Sequence, residues 1–270
     1  MRADGLLRSE LALVFRRSRT LSVLGILALT PALLAVAWWF GDDPVGIGPV
    51  VLADPSGSGL LTGVFALAPC VPLLLPLAVA VVAGESLAGE VATGTLPGLL
   101  LAGTGRTRLL AVKFTTTVVF AVVAVLVALA AGTAAGSLLF GVHDLTPATG
   151  GQLSIRACLL RVALVAAYAV VSLLGAATIG TLLSALFDVP VTAVAATMVL
   201  VLLAQLAADL GPLSAAGPWL FTTPWPRLDR LLATPPDWSV LARNGVVQGC
   251  YLAGAGLLTW IRFAWREVPA

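Results

Sequence analysis

The sequence predicts an all-α membrane protein with six transmembrane helices, and three observations carry that expectation. The chain is 59% hydrophobic and 10% charged, with a mean hydropathy of +1.04, whereas soluble domains carry about 25% charged residues. Six runs, 21–40, 55–84, 114–142, 162–187, 189–208 and 244–261, contain no Asp, Glu, Lys or Arg. Each approaches or exceeds the ~20 apolar residues that a helix needs to cross the hydrocarbon. Lipid admits only helices or closed barrels, and barrel strands would be about ten residues long with period-two alternation. These runs are longer and continuously apolar.

Residues 1–20 precede the first run and are basic and amphipathic. Leu7, Leu11, Val14 and Phe15 share one helical face, Arg8, Arg16 and Arg19 lie across from it, and Leu6 and Leu13 break the pattern. This is either an interfacial helix on the leaflet or a basic anchor for the first run. The start has some anatomy of a signal peptide, with Ala35-Val36-Ala37 as a cleavage-like triplet. Its basic region is too long for one, and the apolar run continues into Trp38, Trp39 and Phe40, which suit an aromatic belt.

The second run holds Pro69, Pro72 and Pro76. They remove backbone donors and bend a helix, which makes this span either a moving part or a static bent shape. Gly132-x-x-x-Gly136 and Gly245-x-x-x-Gly249 permit close helix approach and read as ordinary packing. Residues 209–243 form a long polar segment with Trp219, Trp225 and Trp238 among six prolines. Tryptophan favours the headgroup level, so this segment is expected to lie on or dip into the outer leaflet, with a short interfacial helix over 225–232. With no internal repeat, linker or low-complexity tail, residues 1–270 read as one membrane domain.

The cations set an orientation. Arg2, Arg8, Arg16, Arg17, Arg19, Arg106, Arg108, Lys113, Arg262 and Arg266 fall on one side of a six-span chain, ten of its fifteen Lys and Arg. Arg156, Arg161, Arg227, Arg230 and Arg243 fall on the other. The positive-inside rule then places both termini and residues 85–113 in the cytoplasm and residues 209–243 outside, across the cell inner membrane.

A search for catalytic groups comes back empty. Lys113, the one lysine, follows Val112, so no Gly-x-x-x-x-Gly-Lys phosphate loop exists. His143 is the one histidine and stands beside Asp144, which excludes a multi-histidine metal site. Cys70, Cys158 and Cys250 are isolated, within the runs or, for Cys158, just before one, and read as small buried hydrophobes. Glu85 and Glu90, five residues apart, fall on different helix faces rather than forming a carboxylate pair. Within the runs the polar groups include Gln205, Gln248, Tyr168 and scattered Ser and Thr. Arg161 and Asp209 lie near run ends, where they pair or reach headgroups. Ion-coupled carriers keep ionisable residues inside their spans, so that class fits poorly. The expectation is no enzyme, no metal, no cofactor bound by this chain and no nucleic-acid partner.

The most detailed stretch is the polar island at 85–113, ESLAGEVATGTLPGLLLAGTGRTRLLAVK. It resembles the cytoplasmic segment of the ABC-2 type permeases, the membrane subunits of bacterial ABC exporters. In that family a glutamate stands four residues before Gly-Thr-Leu, a Leu-Leu pair follows, then an arginine, a second Leu-Leu and a lysine that opens the third span. Here those positions read Glu90, Gly94-Thr95-Leu96, Leu99-Leu100, Arg106, Leu109-Leu110 and Lys113, without gaps. Two positions depart from the pattern: Gly103 replaces a proline common before the arginine, and Pro97 stands where the family often has an acid. At lower resolution the likeness spans the chain, from the basic amphipathic start to the basic end at Arg262 and Arg266.

The resemblance implies a coupling helix around 86–105 that docks into a groove on a cytoplasmic ABC ATPase subunit. Leu96, Leu99 and Leu100 would be its apolar anchors, and Glu85, Glu90, Arg106 and Arg108 would fix register at the rim. Gly94 and Thr95 complete the implied interface. It further implies a second permease copy or a homologue, with ATP and Mg on the partner subunit. The cargo would be apolar or amphiphilic, such as a drug-like metabolite or a lipid. The competing readings are a non-transporting integral membrane assembly or immunity factor, and an ion-coupled carrier.

Overall fold

The computed structural model describes residues 3–41, 59–95, 105–142, 155–209, 217–232 and 236–265. Among them are eight α-helices and no strand: α1 (Ala3–Arg16), α2 (Ser18–Trp39), α3 (Gly59–Leu67), α4 (Leu74–Ala92), α5 (Arg106–Phe140), α6 (Ile155–Leu186), α7 (Pro190–Asp209) and α8 (Trp238–Ala264). Five of them, α2, α4, α5, α6 and α7, are long and apolar enough to cross a membrane. The chain is a multi-pass membrane protein. α8, with 27 residues, stands outside these five because Asn244 and Gln248 dilute its apolar run. Both are fully buried. α5 has 35 residues and at 1.5 Å per residue reaches roughly 52 Å, well beyond the ~30 Å of hydrocarbon. Its first turns, up to Lys113, mark one end of the bundle.

The second apolar run is broken where its prolines predict. α3 stops at Leu67, a 3-10 turn covers Ala68–Cys70, and α4 starts at Leu74. Pro69 and Pro72 cannot donate to a continuing helix. Pro76 lies in the first turn of α4, where N–H groups have no intrahelical acceptor in any case.

α3 packs face to face with α5 through two small-residue motifs. A methyl on Gly59 would run into the Gly136 carbonyl, and one on Gly63 would lie 2.6 Å from the Thr133 nitrogen. A methyl on Gly136 would meet Thr62 in the same way. Gly59-x-x-x-Gly63 therefore answers Gly132-x-x-x-Gly136, and the backbones approach as closely as small-residue interfaces allow. Gly245 and Gly249 differ: neither has a neighbour within 4 Å of where a side chain would stand. That motif does no packing within the described chain.

α1 lies against α5. Leu6 and Glu10 are its most buried residues, and the Phe15 ring centroid is 6.2 Å from that of Phe120. Leu6, which seemed to spoil the apolar face, belongs to it, while Leu13 is 54% exposed. At the far end of the bundle the Trp39 ring meets Phe140 edge-on at 5.5 Å, as an aromatic belt would.

The segment expected at headgroup level is instead drawn into the bundle. Trp225 is 2% exposed, and Phe221, Leu228 and Leu231 are buried with it. The 3-10 helix Trp225–Leu231 and its flanking turns leave carbonyls without internal partners, and unpaired carbonyls in lipid are costly. The spans supply the missing donors. Gln248 Nε2 donates to Phe221 O at 2.8 Å and Arg161 to Leu232 O, and Tyr168 Oη adds a second bond, at 2.6 Å, to Pro224 O, which already accepts the Arg227 N–H. In return the Trp225 indole N–H donates to Ser172 O at 2.9 Å. Arg161 is thus a buried brace, not a headgroup contact. Trp219 and Trp238 do stay exposed, at 62% and 57%.

Candidate functional site

The polar island is built outward from the end of α4. Gly94 adopts φ +68°, its N–H bonds Val91 O at 3.0 Å, and the Thr95 N–H bonds Glu90 O at 3.0 Å. These two bonds form a Schellman cap, which favours glycine at the left-handed position. The Thr95 hydroxyl then returns to the Glu90 carboxylate. The Gly-Thr pair therefore ends the helix and fixes the glutamate that precedes it.

Glu90 also grips Lys113 Nζ at 2.7 Å, and Glu10 of α1 holds the same ammonium at 2.9 Å. Lys113 is 5% exposed and Glu10 7%, so one cation ties three helices in a desolvated junction. A void of about 20 Å³ beside Glu10, Glu85, Lys113 and Thr116 is the size of one water molecule. Glu85 takes different partners from Glu90. It pairs with Arg17 at 2.9 Å and Arg19 at 3.0 Å, whose side chains are 47% and 75% exposed. Such surface pairs contribute little, whereas stranding one member of a buried pair is strongly destabilising.

Between the two glutamates, Ser184 of α6 reaches into α4. Its Oγ accepts from Leu87 N at 3.0 Å and Ala88 N at 2.9 Å and donates to Gly84 O at 2.7 Å. Gly84 O and Ala88 N are partners on one rung of the helical ladder, so the hydroxyl sits across that rung and fastens α4 to α6.

The returning stem is held as firmly. Arg106 opens α5 and donates to Phe263 O at 3.3 Å, a carbonyl in the last turn of α8 that lacks an intrahelical donor and favours a cation. Trp260 Nε1 donates to Thr107 Oγ1 at 3.0 Å, and Leu87, Leu109, Ala185 and Phe263 form a small apolar cluster beneath. Arg108 is exposed on the first turn of α5. Residues 86–92 of the expected coupling helix are the last turns of α4. Leu96, Leu99 and Leu100, with Pro97 and Gly103, lie outside the described residues, as does His143. Among the described residues no three His, Cys, Asp or Glu side chains assemble as a metal cluster.

Two members of this arrangement escaped the sequence reading. Ser184 carries no local signal. Glu10 does: it stands four residues after Leu6 and four before Val14, a carboxylate inside an apolar stripe, where burial demands a partner.

The model of a protein family of unknown function, DUF2705, matches residues 51–250. The chain belongs to this family. The DUF2705 match takes in Glu85, Glu90, Lys113, Ser184 and the polar groups around Trp225, and begins after Glu10, Arg17 and Arg19. No curated protein matches the chain.

Proposed function

We propose that this chain is the permease subunit of an ATP-driven ABC-2 type exporter that moves an apolar or amphiphilic substrate out of the cell. The observation that carries this reading is the Glu90-Gly94-Thr95 cap and its clamp on Lys113. The residues that resemble the permease segment are those that hold the two stems flanking residues 96–104. A docking element needs rigid stems, because a push on a slack loop dissipates before it reaches the bundle.

The six uncharged runs support six crossings: α2, the proline-broken α3 and α4 together, α5, α6, α7 and α8. The cation asymmetry supports a cytoplasmic loop and cytoplasmic termini. Two ATPase subunits, carrying ATP and Mg, would act on two permease copies or on this chain and a homologue. Their closure would press on residues 96–104, with Leu96, Leu99 and Leu100 as anchors and Arg108 at the rim. The clamps pass that displacement on, through Lys113 to α1, through Ser184 to α6 and through Arg106 to α8. Glu85 and Glu90 then act inside the chain, holding the register of the stems.

A transport assay in cells with the partner ATPase tests this. Glu90→Lys, which sets two cations against each other, abolishes export while the protein remains in the membrane. Unchanged export after residues 86–105 are rewritten would sink the reading.

A further inference from the structure

We propose that the cavity at the bundle end opposite Lys113 is a binding site for an anionic amphiphile, an apolar chain with a carboxylate or phosphate head. The cavity measures about 520 Å³, within the ~300–1,000 Å³ typical of small-molecule sites. It lies where the second apolar run breaks, between that break, α7 and the drawn-in segment. Pro69, Val71, Ala208 and Leu228 supply apolar wall, and Gln205, Thr222 and Arg227 supply the polar groups.

Thr222 is the informative one. It is 3% exposed, and its hydroxyl has no hydrogen-bond partner. A buried hydroxyl left so is costly, and Thr222 borders the cavity, so a small rotation of its side chain toward that space would bring the hydroxyl to a ligand oxygen. Gln205 donates its amide to Pro72 O at 2.7 Å, which ties α7 to the proline break and fixes the wall between them. Arg227 stands at a non-helical point (φ −88°, ψ 22°) within the 3-10 helix and is the one charged residue among the described residues of the lining. A guanidinium at an apolar wall, with no carboxylate among the described residues of the lining, favours an anion and can grip carboxylate or phosphate with two parallel hydrogen bonds. Apart from Thr223, whose hydroxyl is engaged by Gly217 O, the remaining lining is apolar, which suits a chain. Binding is a property of this chain alone, so the proposal stands or falls independently of any ATPase.

The test uses purified full-length protein in nanodiscs of phosphatidylcholine and a fatty-acid photoprobe with a diazirine near the chain end. Labelled peptides are mapped, and oleate, oleyl alcohol and phosphatidylglycerol compete for labelling. Labelling concentrates on residues 68–72 and 222–228, and oleate competes about tenfold better than oleyl alcohol, as expected for a charge-assisted hydrogen bond. Arg227→Gln erases that preference and Arg227→Lys restores part of it, which separates charge recognition from misfolding. Ala208→Phe fills the cavity and lowers labelling. Competition by phosphatidylglycerol as strong as by oleate assigns the head to a membrane phospholipid, and competition by oleate alone assigns it to a free fatty acid. Both support the site. Labelling spread evenly over the lipid-facing helices, or unmoved by Arg227→Gln and Ala208→Phe, would overturn it.

Discussion

Replacing Lys113 with methionine probes the junction that binds α1, α4 and α5. The lysine sets one positive charge against the two carboxylates of Glu10 and Glu90. Methionine preserves most of the stem volume, a swap that packing tolerates, but it strands both carboxylates. Losing one partner of a buried pair costs about 3–5 kcal/mol. The Glu90 side chain keeps 15% exposure, which favours the lower end, about 3 kcal/mol. For a chain of this size, each kcal/mol moves Tm by about 2–4 °C, so the variant melts about 6–12 °C lower. Tryptophan fluorescence during heating in detergent or nanodiscs measures the shift. Glu10→Gln costs about 1 kcal/mol or less, because Lys113 retains Glu90 and the surplus negative charge disappears. The triple variant Glu10→Gln, Glu90→Gln and Lys113→Met recovers most of the loss, since no charge is left stranded. A Lys113→Met protein that melts within about 1 °C of the native one, or a triple variant no better than the single, would refute the buried-charge reasoning.

The remaining predictions use the same melting assay or simple labelling. Gly94→Ala costs about 1–2 kcal/mol because it forces a side chain into the left-handed region, and Gly94→Asn costs less; equal melting for all three proteins would contradict the cap. Gly136→Ala overpacks the α3–α5 contact and costs about 1–3 kcal/mol, whereas Gly249→Ala, with open space around it, stays within about 0.5 kcal/mol. In a Cys250→Ala background, where Cys70 and Cys158 are buried, an impermeant maleimide labels Ser9→Cys in inverted vesicles and Trp219→Cys in intact cells. The reverse pattern would invert the proposed orientation.

The fold was largely legible because crossing lipid imposes a continuous demand on sequence. Every span needs an apolar run, and a proline cluster in one of them marks the break at Pro69 and Pro72. Partners distant in the chain were not legible. Glu10 and Lys113 are 103 residues apart, and their meeting depends on how α1 folds back onto α5. Tyr168 and Gln248 stood out as polar groups in apolar runs and Arg161 as a cation at a run end, but their purpose, donating to carbonyls of residues 221–232, appears only once that segment is packed. Trp225 misled for a related reason. Tryptophan goes to the headgroups when the chain stays at the surface, and here the Ser172 carbonyl offers its indole N–H a partner inside the bundle. At the polar island the motif was visible in the sequence and its physical work was not. Glu90, Gly94 and Thr95 form a helix cap, and Lys113 locks it.

The decisive measurement is retention of an ATPase. Tagged full-length protein is purified from its native membranes and assayed for a co-purifying ATP-binding subunit, alongside a variant with residues 96–104 rewritten as Gly and Ser. The proposed function requires the ATPase to co-purify with the native chain and to be lost from the rewritten one, while both melt at the same temperature. Co-purification that survives the rewriting, or no association with the native chain, would contradict it.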